Sequence, residues 1–105
     1  MAPALTPAAA YAIASQWGSY VRAGDPGACF YTFRKDDGRP VSEEHRAQCL
    51  RYLDRECWVA AQLAIENARA WRDAPRLAAA QRDMDALRQL KAWFRAAPLW
   101  SEARQ

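Results

Sequence analysis

From Ser42 to Ala97 the chain carries two long runs of helical periodicity, and Pro75 is the one proline inside them. In the first run Leu50, Leu53, Cys57, Ala60 or Ala61, Ala64, Ala68 and Trp71 recur at steps of three and four, the spacing that lines one face of an α-helix. Nothing between Ser42 and Ala74 breaks this run, which predicts a helix of about 45 Å at 1.5 Å per residue. The second run places Leu77, Ala80, Met84, Leu87, Leu90, Phe94 and Ala97 on one face and stops at Pro98. At Pro75 the chain can turn into an antiparallel hairpin or merely kink. Each run has an apolar seam that needs covering, which favours the hairpin.

The remaining elements are shorter. Residues 1–5 read as a loose tail, and Thr6-Pro7 as a helix start with a capping hydroxyl ahead of a proline. Ile13, Trp17, Tyr20 and Val21 give the first helix its apolar stripe, and Gly24 is placed to close it. Asp25-Pro26-Gly27 is a turn sequence. Cys29 to Phe33 is aromatic and strand-like, Asp37-Gly38 signals a tight turn, and Pro40 confines the returning segment to an edge. This predicts a small β-hairpin or an ordered loop. Ser42, followed by Glu43 and Glu44, caps the second helix, and residues 98–105 form a C-terminal extension whose Leu99 and Trp100 can fold back as a lid. The expected fold is mainly all-α, a single domain over 1–105: a short first helix, the hairpin or loop, then two long antiparallel helices.

Of the residues, 51% are hydrophobic, but many are alanine, so Trp, Tyr, Phe, Leu and Ile must supply most of the core. The net charge of +3 is unevenly spread. Residues 1–68 hold 7 basic and 8 acidic side chains, and residues 69–105 hold 8 basic and 4 acidic. Such asymmetry suits an acidic partner, either nucleic acid or an anionic protein surface. The 3 cysteines and the absence of a signal-peptide pattern lead to the expectation of free thiols in the cytoplasm. No apolar run approaches the roughly 18 residues that span a bilayer.

Candidate chemistry is sparse. Cys29, His45 and Cys49 could meet as zinc ligands, with Glu44 or water as the fourth, but no CxxC or finger-like spacing supports a metal. Cys57 lies roughly 12 Å further along the helix. The plainer reading makes the cysteines small buried hydrophobes and His45 a surface residue in the first turn. A Cys–His nucleophile pair lacks an orienting third group and an oxyanion site. Asp36, Asp37, Glu43 and Glu44 lack the stepped ligand spacing of a calcium loop. The expectation is a non-enzymatic chain with no cofactor.

Binding surfaces are better supported. Arg69, Arg72 and Arg76 lie at helical spacing toward Pro75, and Arg88, Lys91 and Arg95 do the same on the third helix near Trp93. Trp17 and Trp71 fall on seams and are expected in the core, whereas Trp58 and Trp93 sit beside theirs, where an exposed Trp near Arg makes an interface anchor. The aromatic loop adds Tyr31 and Phe33. These ten residues are the expected contact surface: Trp58, Arg69, Arg72, Arg76, Arg88, Lys91, Trp93, Arg95, Tyr31 and Phe33. They suit a protein-binding module, adaptor or stoichiometric inhibitor, for instance a small phage or mobile-element protein acting on a host nucleoprotein complex in the manner of an anti-CRISPR. The alternative is direct nucleic-acid binding by the Arg-rich helices, although Asp73, Asp83 and Asp85 interrupt the positive field. The alanine-rich second seam is also a surface on which a second copy could pack.

Overall fold

Thr6 opens the first helix as its type demands. Its Oγ1 accepts the Ala9 N–H at 3.1 Å, and Pro7 takes the first helical position, where an N–H would lack a partner. The computed structural model describes residues 5–18 and 25–103. Helix α1 runs Pro7–Gly18 and turns Ala10, Ala14 and Gly18 inward, with Ile13 and Trp17 half-buried beside them. Tyr20, Val21 and the expected Gly24 closure lie outside the described residues.

The aromatic segment is not a strand. Pro26–Tyr31 forms a 3₁₀ helix, started by Pro26 and closed by the Thr32 N–H on the Cys29 carbonyl at 3.3 Å. Of the anticipated hairpin only one bridge exists, between Arg34 and Asp37. Its turn residues are Lys35 and Asp36, both at positive φ (52° and 59°), rather than Asp37-Gly38. The segment is an ordered loop because its aromatic rings are used in three dimensions. Phe33 stacks on Phe30 (centroids 6.1 Å apart) and on Phe94 (5.9 Å), and Tyr52 meets Phe30 edge-on at 4.9 Å. A pleated strand would send alternate rings to opposite faces.

The second helical run begins at the Ser42 cap and divides into α2 (Glu43–Tyr52), a π turn (Leu53–Cys57) and α3 (Trp58–Ala70). Its buried side is Cys49, Leu53, Cys57, Ala61 and Ala68, with Ile65 partly buried. The steps from Cys49 to Ile65 are all four residues. On a regular α-helix each such step drifts about 40° around the axis, and a wide π turn absorbs that drift. Beyond Cys57 the seam follows Ala61, one of the two expected alternatives, and Ala68, whereas Ala64 faces solvent and Trp71, expected in the core, is 81% exposed.

The helix also ends earlier than Ala74. Arg72 adopts φ 52°, its N–H bonds the Arg69 carbonyl at 3.1 Å, and the Asp73 N–H bonds the Ala68 carbonyl at 2.9 Å. This is a Schellman stop in which arginine occupies the left-handed position that glycine usually fills. Asp73 then caps α4 (Ala74–Ala96) by accepting the Arg76 N–H at 3.1 Å, and Pro75 sits in the first turn. Pro75 thus belongs to a hairpin, and α4 returns along α3.

Around Ala10, Ala14, Phe30, Leu53, Leu87, Leu90 and Phe94 these elements form one buried core. Arg46 closes the C-terminal end of α4 by donating to the Phe94 carbonyl. The chain then folds back after Pro98 into the short α5 (Trp100–Ala103), whose first N–H bonds the Pro40 carbonyl at 2.8 Å. Among the described residues there is no strand and no helix long and apolar enough to cross a membrane. The radius of gyration is 14.3 Å, against about 13 Å for a compact domain of this length, and the extents are 50 × 35 × 19 Å. The excess length is the α3–α4 hairpin, an arm extending past the aromatic core.

Candidate functional site

Four of the expected contact residues meet at the base of the α3–α4 hairpin. Trp58 opens α3 directly after the π turn, and Arg88, Lys91 and Arg95 line the facing side of α4 at helical spacing. Together with Asp54 and Ala92 they border one groove. The Arg88 guanidinium lies over the Trp58 ring, 5.5 Å from its centroid, and also donates to Asp85 at 2.7 Å. Lys91 pairs with Asp54 at 2.8 Å. Arg95 is exposed at the end of the row. With Asp85 included, three cations stand against two carboxylates around one aromatic face, so the groove is only mildly positive.

Arg69, Arg72 and Arg76 are not part of it. All three are exposed at the hairpin end, where Arg72 makes the turn and Arg76 pairs with Asp73 at 3.3 Å. There they accompany Trp71, which sequence reasoning had assigned to the core. A second groove runs from Trp71 and Arg76 along Asn67, Ala68, Ala79 and Ala80 to Ala64 and Asp83. Trp71 is exposed because the stop at Arg72 makes it the α3 C-cap at the hairpin end, and the sequence carries no glycine to mark that stop.

Of the other aromatic candidates, Trp93 and Phe33 are used internally. Trp93 is half-buried, and its indole N–H donates to the Gly38 carbonyl at 2.8 Å. Phe33 belongs to the aromatic stack, whereas Tyr31 remains 56% exposed.

The structure does bring Cys29, His45 and Cys49 into one neighbourhood, though not as ligands. His45 is buried, not on the surface, because its side chain knits the loop to α2. Its Nδ1 accepts the Val41 N–H at 3.0 Å, which fixes the proton on Nε2. Nε2 then donates toward the Cys29 carbonyl at 2.6 Å and contacts Thr32 Oγ1 at 2.7 Å. Both ring nitrogens are thereby committed, and the imidazole addresses the Cys29 backbone rather than its thiol. Burial lowers the His45 pKa, opposed by the hydrogen bond to the Cys29 carbonyl. The Cys49 thiol donates to the Cys29 sulfur, which lowers Cys29 and, with burial, raises Cys49. Burial pushes Cys57 up to about 12. Among the described residues no three His, Cys, Asp or Glu side chains converge as a metal site. Asp37 is buried and accepts from the Arg39 backbone N–H at 2.9 Å and from its guanidinium, while Glu43 and Glu44 stand in the first turn of α2.

No protein-family model, no curated protein and no solved structure matches this chain.

Proposed function

We propose that the protein is a non-enzymatic docking module that takes an acidic segment of another protein into the groove between Trp58 and the Arg88–Lys91–Arg95 row. The supporting observation is the convergence of an aromatic face and three cations from two helices onto one groove beside the core, at the base of the α3–α4 hairpin. Trp and Arg are the side chains that most often dominate binding energy at protein interfaces. Interleaved Asp54 and Asp85 favour a protein over nucleic acid, because a phosphate backbone tracks uninterrupted positive charge. Adaptor and stoichiometric-inhibitor roles fall within this reading, including inhibition of a host nucleoprotein complex by a phage or mobile-element protein in the cytoplasm.

Affinity capture from nuclease-treated lysate of the native host tests the reading. A partner retained by the wild-type chain should be lost with Arg95→Glu and with Arg88→Glu while helix content is unchanged. Retention by both variants would overturn the choice of groove. Tight binding of naked DNA or RNA at low salt, weakening steeply as salt rises, would favour the nucleic-acid reading instead.

A further inference from the structure

One flank of the α3–α4 arm carries a different kind of surface, and it is complementary to itself. Trp71 is 81% exposed, an unusual state for so large a side chain on a fixed helix end. It stands at one end of the groove beside Arg76, and the other end is formed by the small Ala64 beside Asp83. A protruding ring and a cation, which also pairs with Asp73 at 3.3 Å, therefore occupy one end, and a shallow alanine socket and an anion the other. Arg76 and Asp83 are seven residues apart on α4, about 10.5 Å along its axis. Asp83 makes no ion pair among the described residues.

We propose that this flank is an isologous interface on which a second copy of the chain docks, with the twofold axis crossing α4 between Ala79 and Ala80. Antiparallel pairing about that point sets Arg76 of each copy against Asp83 of the other, because the two positions are equidistant from the axis. The same rotation carries Trp71 to the level of Ala64 on the second copy. That position follows from the antiparallel hairpin turning at Arg72 and Asp73: Ala64 lies seven residues before Trp71 on α3, and Asp83 seven residues after Arg76 on α4. The exposed alanines at positions 64 and 79 let the helices approach closely, and the indole fills the space that they leave. An isologous contact requires this reciprocity, residue i meeting j and j meeting i. The end residues of the groove are only about 10 Å apart along the helices, so the area buried falls at the low end for specific interfaces, and the dimer is weak and concentration-dependent. This inference stands independently of the Trp58 groove.

Sedimentation analysis from about 10 μM to about 0.5 mM, the range of weak association, tests it. The wild-type chain should shift from monomer to dimer, and Trp71→Ala should raise the dissociation constant at least about tenfold. Arg76→Glu and Asp83→Arg should each abolish association, since each sets like charges across the axis twice. An equimolar mixture of those two variants should associate again, because in the mixed pair every contact joins opposite charges. Loss of dimer in the variants with recovery in the mixture establishes the geometry. A chain monomeric throughout, a dimer indifferent to all three substitutions, or a mixture that fails to recover would each overturn it. Partner capture by the Trp58 groove should be unaffected by Trp71→Ala, so the two readings fail separately.

Discussion

Gly38→Ala is expected to be one of the most destabilising single-methyl additions in this chain. A β-carbon at Gly38 would lie 2.6 Å from the Ala10 Cβ, 2.7 Å from the Tyr11 backbone nitrogen and 2.9 Å from the Ala10 carbonyl carbon. Two of those atoms belong to the α1 backbone and cannot rotate aside, so α1 and the loop must separate. Separation stretches two hydrogen bonds that meet at this residue: the Gly38 N–H to the Pro7 carbonyl at 2.9 Å, and the Trp93 indole to the Gly38 carbonyl at 2.8 Å. Overpacking costs about 1–3 kcal/mol, and each weakened hydrogen bond adds up to about 1 kcal/mol. The sum is about 1–5 kcal/mol, a large part of a stability of about 5–15 kcal/mol. Near the midpoint this lowers Tm by roughly 5–40 °C. Thermal melts followed by circular dichroism and tryptophan fluorescence would measure the effect. Trp93→Phe removes the second bond alone and should be less than additive with Gly38→Ala, since both act at one carbonyl. A loss below about 0.5 kcal/mol, or full additivity of the two changes, would refute the reasoning.

Acid should weaken the fold through His45. Its folded pKa lies below the ordinary 6.5, so the unfolded chain binds a proton that the folded chain refuses. Stability from this group is complete above pH 6.5, falls as the pH drops below that value, and levels off below the depressed folded pKa. His45→Gln should flatten the urea-denaturation midpoint between about pH 5 and 7, and an unchanged slope would exclude His45 as its source. Arg72→Gly should raise stability by about 0.5–1 kcal/mol, because glycine enters the left-handed position without a Cβ penalty. A decrease on chemical denaturation would mean that the Arg72 side chain contributes more than its backbone costs.

The helices were legible because the periodicity of Leu77 to Ala97 and the caps at Thr6 and Ser42 act locally. The hairpin at Pro75 could be expected from two uncovered seams, but its mechanism could not, because an arginine took the glycine position. The π turn was hidden for a related reason: a run of four-residue steps fits both a drifting α-helix and a wide turn, and only packing against α4 selects the latter. The sequence left hairpin and ordered loop open around Phe30 and Phe33, because aromatic side chains favour strands unless they stack on a distant partner, here Phe94. For the candidate groove, the Arg88, Lys91 and Arg95 spacing could be read from sequence. The closure of Trp58 and Asp54 onto that row required the tertiary pairing of α3 and the π turn with α4.

The sequence contains only two lysines, Lys35 on the loop and Lys91 in the groove, which permits a direct test of the docking account. Zero-length carbodiimide crosslinking of the captured assembly, read by mass spectrometry, joins lysines to carboxylates in contact. The account predicts crosslinks from Lys91 to Asp or Glu of a bound protein, lost in Arg95→Glu. Crosslinks to the partner through Lys35 alone, or a species captured only when the nuclease is omitted, would contradict it.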